Sequence, residues 1–351
     1  MSKFTVLSHL QASEIAKAIL DRRPLARVSL DLGLSASTAK LDYDRQTVIF
    51  PDEAMLSFDE ISKIASTEHV CFVVEKGKTT ATKVQLFSPE TNRFYKLYPT
   101  KDAPTAEISG IRMHRVKERT PWQDTEDKIA AVSPLSGRVL DTCCGLGYTS
   151  ILAAENRNVE RVYTFERDEN MVLLADYDPW SQKLFSNLKV KLAIDDVSGA
   201  IKYFDNGFFS GIIHDPPRMA LSPELYSLDF YKQLHRVLKK GGRIFAFDPH
   251  YYNLIIWTYR ELLGVKTQKT ENEVLIKPED IKKELTNAGF TQIDAKGSAN
   301  ITFDMRYFKK LVPFPLYYGA YIYNSIERAI HSIKPLREKH GSFAITYAKK
   351  E

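Results

Sequence analysis

The chain has 351 residues, of which 44% are hydrophobic, 26% charged and 11% aromatic. This composition is that of a globular protein and excludes a disordered or fibrous chain. The net charge is +5, and residues 301–351 hold nine Lys or Arg but only four Asp or Glu. The positive excess therefore lies in this C-terminal segment, either as a site for an anionic partner or only as a solvated helix face.

The sequence predicts neither secretion nor membrane insertion. Charged residues come too early in MSKFTVLSHLQASEIAK for a secretory signal. No run reaches about 18 apolar residues, so no membrane span is expected. The three cysteines (Cys71, Cys143 and Cys144) have no metal-site spacing. Their low number favours a reducing cytoplasmic location and argues against disulfides or structural zinc.

Residues 1–118 are predicted to form a small α+β domain. Polar turns and short strand spacing favour a mostly antiparallel sheet. The predicted elements are, in chain order, a helix in 11–23, strands in 29–35, 39–44 and 46–52, a helix in 57–66, a hairpin in 70–88 and a strand in 93–100.

From about residue 119 to residue 351 the pattern changes to strands alternating with helices. This alternation is typical of a doubly wound, mostly parallel sheet covered on both faces. Two closing strands suggest an antiparallel edge. The predicted strands are 137–143, 161–167, 189–195, 208–215, 241–248, 291–297 and 341–350, with helices after each of the first four and at 253–264 and 277–290.

The segment GRVLDTCCGLGYTS (137–150) places an acid, Asp141, at a strand end before Gly145 and Gly147. Glycines let a backbone approach a ligand closely, and a helix beginning near Tyr148 would offer unpaired N–H groups. Ser150 stands where a dinucleotide-binding motif has its third glycine. A tight strand-to-helix turn is the alternative interpretation.

Further carboxylates end the next three strands. Glu166 lies 21 residues after Gly145, where a doubly wound sheet places an acid that accepts from ribose hydroxyls. Asp195 and Asp196 end the following strand, where a carboxylate can accept from an adenine amine, and Asp215 ends the fourth. Each alone is more typical of a helix cap, but four at one sheet edge favour a binding site.

The sequence resembles the class I S-adenosylmethionine-dependent methyltransferases over about residues 120–350. The resemblance rests on the order Asp141, Gly145-x-Gly147, Glu166, Asp196 and Asp215-Pro-Pro. FYKQLHRVLKKGGRIFAFDP is similar to that family's helix and fifth strand. The arrangement from residue 108 to HDPPR looks closest to predicted archaeal methyltransferases with a small N-terminal domain. The tail after residue 253 looks more like small-molecule methyltransferases.

The resemblance implies a seven-stranded, Rossmann-like sheet with a reversed last strand and S-adenosylmethionine as cofactor. It implies that Asp141 and the Cys143–Gly147 loop hold the methionine end, with Cys143 replacing the family's first glycine. Glu166 would bind the ribose, and Asp196, or less favourably Asp195, the adenine.

HDPPR (214–218) is expected to face the methyl acceptor. In members with Asp-Pro-Pro-aromatic the motif serves methyl transfer to an amine nitrogen; here Asp215, Pro216 and Pro217 are kept and Arg218 replaces the aromatic. Arg218 can stack on a planar ring or pair with an anion. The motif also resembles RNA uridine-C5 methyltransferases, but these need a downstream cysteine nucleophile, and none follows Cys144. His214 is either a base or a packed strand-end histidine.

Two other segments are candidates for the acceptor site. Trp122 lies in a stretch, 114–128, that can cover a cofactor or simply begin a helix. The aromatic and basic insertion at about 303–335, with Tyr317 and Tyr318, fits core packing, a lid over a small molecule, or RNA.

The predicted activity is non-covalent methyl transfer to an amine nitrogen of a small or planar substrate, with RNA base N-methylation as the alternative. An aminopropyl transferase, a non-catalytic cofactor-binding module and a nicotinamide-dependent oxidoreductase rank lower. The oligomeric state and the role of residues 1–118 have no sequence signal.

Overall fold

The computed structural model describes residues 4–116, 119–219, 221–249, 278–298 and 343–351. Helices in this part of the chain are α1 (His9–Leu20), α2 (Phe58–Ala65), α3 (Pro121–Val132), α4 (Tyr148–Glu155), α5 (Glu169–Tyr177), α6 (Gln182–Ser186), α7 (Val197–Ala200), α8 (Leu228–Val237) and α9 (Pro278–Asn287). The predicted helix at 253–264 and the insertion at 303–335, with Tyr317 and Tyr318, lie outside the described residues.

The N-terminal strands form three small sheets, and those after residue 136 form one larger sheet. The strands are β1 (Thr5–Leu7), β2 (Leu25–Val28), β3 (Ser37–Asp42), β4 (Thr47–Ile49), β5 (Met55–Ser57), β6 (Phe72–Val74), β7 (Ala81–Lys83), β8 (Gln85–Ser88), β9 (Arg93–Tyr98), β10 (Thr105–Ile108), β11 (Ile111–Arg112), β12 (Gly137–Asp141), β13 (Val159–Glu166), β14 (Val190–Ile194), β15 (Phe209–His214), β16 (Leu238–Pro249), β17 (Thr291–Ser298) and β18 (Phe343–Lys349).

The three N-terminal sheets have the orders β1-β6-β7, β2-β3-β4-β5 and β11-β10-β9-β8, and neighbouring strands in each of them pair antiparallel. This confirms the predicted antiparallel character. Helix α1 begins at a capping box in which the Ser8 side chain accepts from Leu10 N–H and Gln11 Oε1 accepts from Ser8 N–H. Its apolar face packs with α2 into a buried core that includes Ile15, Ile61 and Ile64.

One predicted strand, 29–35, is wrong. The strand lies earlier, at β2, and residues 29–35 form turns with a single bridge from Asp31 to Val6. Ser29 Oγ accepts from Gly33 N–H, and Asp31 Oδ1 accepts from Ser35 N–H at 2.8 Å. Such local side-chain bonds satisfy the backbone within the turn and so compete with a strand ladder.

Seven strands form the large sheet in the order β14-β13-β12-β15-β16-β18-β17. β13–β14, β12–β15 and β15–β16 pair in parallel, whereas β18 pairs antiparallel with both β16 and β17. The mostly parallel sheet and its reversed last strand are as predicted. Central strands carry fully buried apolar runs, such as Ile212 and Ile213, because both faces of such a sheet are covered.

The chain divides into two compact units, each made of two separate segments. One consists of Met1–Pro134 and Cys144–Asp196, the other of Leu135–Cys143 and Val197–Glu351. Residues 1–118 thus belong to the same compact unit as Gly145 and Gly147, and the predicted domain boundary at 118/119 stays a prediction.

Candidate functional site

The glycine loop, Cys143–Gly147, lies between β12 and the start of α4 in the chain. Gly145 and Gly147 have φ values of 56° and 81°, in the left-handed region that favours glycine. A Cβ on Gly147 would lie 2.7 Å from Leu184 Cδ2, so the loop has no space for a side chain there. Helix α4 begins after Gly147 with no side-chain cap. Its first N–H groups are therefore suited to a polar ligand.

Glu166 faces this loop from the end of β13. Its Oε2 accepts from the Gly145 N–H at 2.8 Å, and its Oε1 accepts from the Asp168 N–H at 3.0 Å. Burial raises the pKa of Glu166 to about 7, and the backbone donors of Asp168, Gly145 and Arg167 offset this only in part. The carboxylate is thus held by backbone N–H groups, and further donors from a ligand would favour its charged form.

Asp195 and Asp196 follow β14 in the same unit. The Asp195 N–H donates to Glu166 O at 3.0 Å, which ties the end of β14 to the end of β13. Asp195 Oδ1 accepts from the Asp196 N–H at 2.7 Å, and Asp196 Oδ2 lies 3.6 Å from Arg167 Nη1. Asp195 and Asp196 thus lie beside the end of β13, as their positions in the sequence predict.

In the other unit, Asp141 ends β12 with no exposed surface. Its neighbour Thr142 has its hydroxyl 2.9 Å from His214 Nδ1, and the Thr142 N–H donates to Ile213 O at 3.0 Å. Cys143 is half-buried. These contacts fix the end of β12 against the end of β15.

His214 is fully buried among aromatic rings. Tyr226, Phe230 and Tyr231 have ring centroids 6.4, 5.6 and 5.8 Å from the imidazole. Burial lowers the pKa of His214 to about 3, and the Leu225 backbone opposes this only in part. The imidazole is therefore neutral at ordinary pH. This environment favours the packed-histidine interpretation over a catalytic base.

The Asp215-Pro-Pro-Arg segment leaves β15 as a constrained loop. Asp215 and Arg218 are half-buried, Pro216 is buried and Pro217 is exposed. The Tyr226 hydroxyl donates to Pro217 O at 2.8 Å, and the Leu221 N–H donates to Arg218 O at 2.8 Å. These two hydrogen bonds restrain the backbone of the loop. The Asp215 and Arg218 side chains remain partly exposed.

Trp122 has a packing role in this structure. Its ring meets Tyr148 edge-on at 5.7 Å and lies 5.0 Å from Trp180. It follows the Thr120 cap and Pro121 at the start of α3. This contact anchors α3 to the first residue of α4.

The sequence interpretation missed a buried polar cluster behind the glycine loop. The Tyr148 hydroxyl lies 2.6 Å from Asp178 Oδ2 and 2.9 Å from Pro104 O, and its one proton serves one of them at a time. Ser181 Oγ donates to Asp178 Oδ2 at 2.6 Å. Burial raises the pKa of Asp178 to about 6. Asp-Pro-Trp at 178–180 was the available signal, because an acid before proline typically begins a turn.

Residues of the N-terminal segment also reach this region. The Tyr95 hydroxyl donates to Asp168 Oδ2 at 2.5 Å, two residues beyond Glu166. Met113 Cε lies 2.7 Å from where a Cβ of Gly145 would stand. Neither residue belongs to a recognisable motif, so no pattern in the sequence predicts these two contacts.

Within the described ranges, no helix is long and apolar enough to cross a membrane. No family model matches the sequence. One curated relative, the "Uncharacterized protein MJ1233" of Methanocaldococcus jannaschii, is 42% identical over 253 residues, covering 70% of this chain and 84% of the relative. The chain belongs to the family of this archaeal protein. The archaeal source of this relative agrees with the archaeal resemblance noted from the sequence. Membership in the group of predicted archaeal methyltransferases with a small N-terminal domain stays a prediction.

Solved structures resemble the fold only distantly. A spermidine synthase in complex with the transition-state analogue AdoDATO has 13% identity and a TM-score of 0.49, over 76% of this chain and 73% of that one. A SAM-dependent methyltransferase from Archaeoglobus fulgidus has 17% identity and a TM-score of 0.42, over 64% of this chain and 90% of that one. Likeness at this level assigns no chemistry to the chain.

Proposed function

We propose that the chain is an S-adenosylmethionine-dependent methyltransferase that acts on an amine nitrogen of a small or planar substrate. The observation that carries the proposal is the Glu166 carboxylate, held by the Gly145 and Asp168 N–H groups at the end of β13. An acid at this strand end, facing a glycine loop, is the arrangement that recognises a ribose diol in doubly wound sheets.

The cofactor half of the site is assigned to groups around the loop. Glu166 accepts from the ribose hydroxyls, Asp196 accepts from the adenine amine, and the uncapped N-terminus of α4 faces polar groups of the ligand. Asp141, at the end of β12, and Cys143, the first residue of the loop, are assigned to the methionine end. When bound, S-adenosylmethionine supplies a methyl group on a sulfonium.

The acceptor half is assigned to the loop after β15. Asp215 accepts a hydrogen bond from the acceptor amine and orients its lone pair. Pro216 and Pro217 limit the loop's motion, since proline fixes φ. Arg218 binds an anionic group of the acceptor or stacks on its ring. Transfer needs no covalent intermediate with the protein, because an amine is already nucleophilic; orientation supplies the acceleration.

Isothermal titration calorimetry with S-adenosylmethionine tests the cofactor assignment. Wild type is expected to bind, Glu166→Ala to lose most of its affinity, and Glu160→Ala to bind normally. Glu160 is an exposed glutamate on the same strand and so makes a matched control. Unchanged affinity in Glu166→Ala would contradict the assignment of the site.

The reaction type is tested with methyl-labelled cofactor. Wild type is incubated with a small-metabolite extract, and Asp215→Ala is compared with it. Labelled amine product is expected from wild type and much less from Asp215→Ala, with similar cofactor affinity in both. Binding of NAD or of the decarboxylated cofactor in preference to S-adenosylmethionine would favour the oxidoreductase or the aminopropyl transferase instead.

A further inference from the structure

The outward face of the β8–β11 sheet exposes aromatic rings beside cations. Phe87 and Phe94 are cross-strand partners in register, and they are 55% and 39% exposed. Directly paired residues of an antiparallel ladder share one face, so both rings lie on the same side of the sheet. The next residue, Tyr95, points the other way and is fully buried.

Lys96 continues this face along β9, two residues from Phe94. Alternate residues of a strand lie on one face, about 7 Å apart, so Lys96 stands beside the Phe94 ring. Its pairing partners are Gln85 on β8 and Glu107 on β10. The Lys96 Nζ lies 2.8 Å from Glu107 Oε1, which confirms that both side chains share the face.

Arg112, Tyr98 and His69 complete this end of the face. Arg112 Nε lies 3.3 Å from Glu107 Oε2, and its guanidinium carbon lies 4.1 Å from the centroid of Tyr98. His69 stacks on Tyr98 with centroids 5.7 Å apart and planes 11° apart. Glu107 thus pairs with both Lys96 and Arg112, and these three side chains together keep a net positive charge.

We infer that this sheet face, defined by Phe87, Phe94, Lys96 and Arg112, binds single-stranded RNA. Exposed aromatic rings offer stacking platforms to unpaired bases, and neighbouring Lys and Arg side chains meet the phosphates. A protein partner is less suited, because charged residues are depleted at the core of protein interfaces. A duplex is also unsuited, because its bases are stacked on each other and have no free face for a ring.

The inference goes beyond methyl transfer and does not rest on it, since RNA binding needs no cofactor. If both hold, the planar amine acceptor is a nucleobase, and residues 1–118 supply the RNA-binding surface. The two proposals fail separately: cofactor binding is measured without RNA, and RNA binding is measured without cofactor.

The test is fluorescence anisotropy of the full chain with a labelled 12-nucleotide oligouridine. We expect binding by wild type and a loss of about tenfold or more in the double variant Phe87→Ala, Phe94→Ala, given the usual contribution of base stacking. Lys96→Gln is expected to weaken binding and to flatten the salt dependence by about 0.7 in log–log slope.

Tyr203→Ala is the matched control. Tyr203 is an 81% exposed ring beside Lys202, whose Nζ lies 5.1 Å from its centroid, but it lies outside this sheet. Its loss should leave RNA affinity unchanged. The Phe87, Phe94 and Tyr203 side chains are exposed, so melting temperatures equal to that of wild type are expected for their variants and verify folding.

Three results would overturn the inference. The first is wild-type affinity in the double phenylalanine variant. The second is equally tight binding of a 12-base-pair RNA duplex, which would indicate phosphate contacts without stacking. The third is a dimer by light scattering that the double variant abolishes, with no RNA bound by wild type, which would make the face a protein interface.

Discussion

The Gly145 N–H donates to Glu166 Oε2 across 2.8 Å, so the glycine loop and the end of β13 are joined by a titratable group. The pKa of Glu166 is raised to about 7 by burial, which makes this joint sensitive to pH near neutrality.

Cofactor affinity is expected to depend on pH through Glu166. Ribose hydroxyls donate to the charged carboxylate, so binding favours the deprotonated form. Affinity for S-adenosylmethionine should be full above pH 7 and fall on acidification below it, by up to about tenfold per pH unit. Calorimetry at pH 8, 7 and 6 measures this. Glu166→Gln should bind weakly with no such dependence, and a flat wild-type profile would contradict the assignment.

Glu166 also makes the free energy of unfolding depend on pH, in the opposite direction to the cofactor affinity. The folded chain binds this proton more tightly than the unfolded chain, whose glutamate has a pKa of 4.5. The contribution of Glu166 to the free energy of unfolding therefore decreases as pH rises from about 4.5 to about 7. Urea denaturation of wild type and Glu166→Gln across this range should show a smaller decrease in the variant.

Gly147→Ala is expected to destabilise the chain by about 1–3 kcal/mol. An alanine there would adopt a left-handed φ and place its Cβ 2.7 Å from Leu184. Gly199→Ala is the control, because a Cβ at this position in α7 meets nothing within 4 Å. That change should be neutral or slightly stabilising. Denaturant midpoints measure both; equal midpoints would mean that the loop tolerates a side chain.

Tyr148→Phe is expected to cost about 1–3 kcal/mol, because it leaves the buried Asp178 carboxylate with one donor fewer. Tyr203→Phe, at an exposed ring, should change stability by less than about 0.5 kcal/mol. Thermal denaturation compares the two. A Tyr148→Phe variant as stable as wild type would show that Asp178 is satisfied by its other donors.

Tyr226→Phe tests whether the loop after β15 presents the acceptor. The change removes the bond to Pro217 O without altering the ring. Under the proposed function, turnover should fall by about tenfold, since small misplacements of reacting groups are costly. Cofactor affinity by calorimetry should not change. A parallel loss of cofactor affinity and turnover would indicate a general structural role instead.

Most of the fold was predictable because its signals are local and periodic. The predicted helix at 57–66 and the strands of the large sheet rest on apolar spacing, and each is found in place. The helix predicted to run through LHRVLKK ends earlier, at Val237, and Leu238–Lys240 begin β16. Element ends depend on tertiary pairing, which periodicity does not report.

The site was predictable where strand ends bring residues together. Glu166, Asp195 and Asp196 were expected at one sheet edge, and they lie there in linked positions. Tyr148 with Asp178, Tyr95 with Asp168, and Met113 over Gly145 were not expected. These pairs are 30, 73 and 32 residues apart in the chain, and no local pattern carries such contacts.

Because each compact unit is made of two separate chain segments, the order of synthesis matters for folding. When residues 1–118 have left the ribosome, Tyr95, Pro104 and Met113 still lack their partners Asp168, Tyr148 and Gly145. The first unit reaches its full set of contacts only after residue 196, once Leu135–Cys143 of the other unit has already emerged. While the first unit completes its fold, β12 of the second unit still lacks its partner β15, which emerges later.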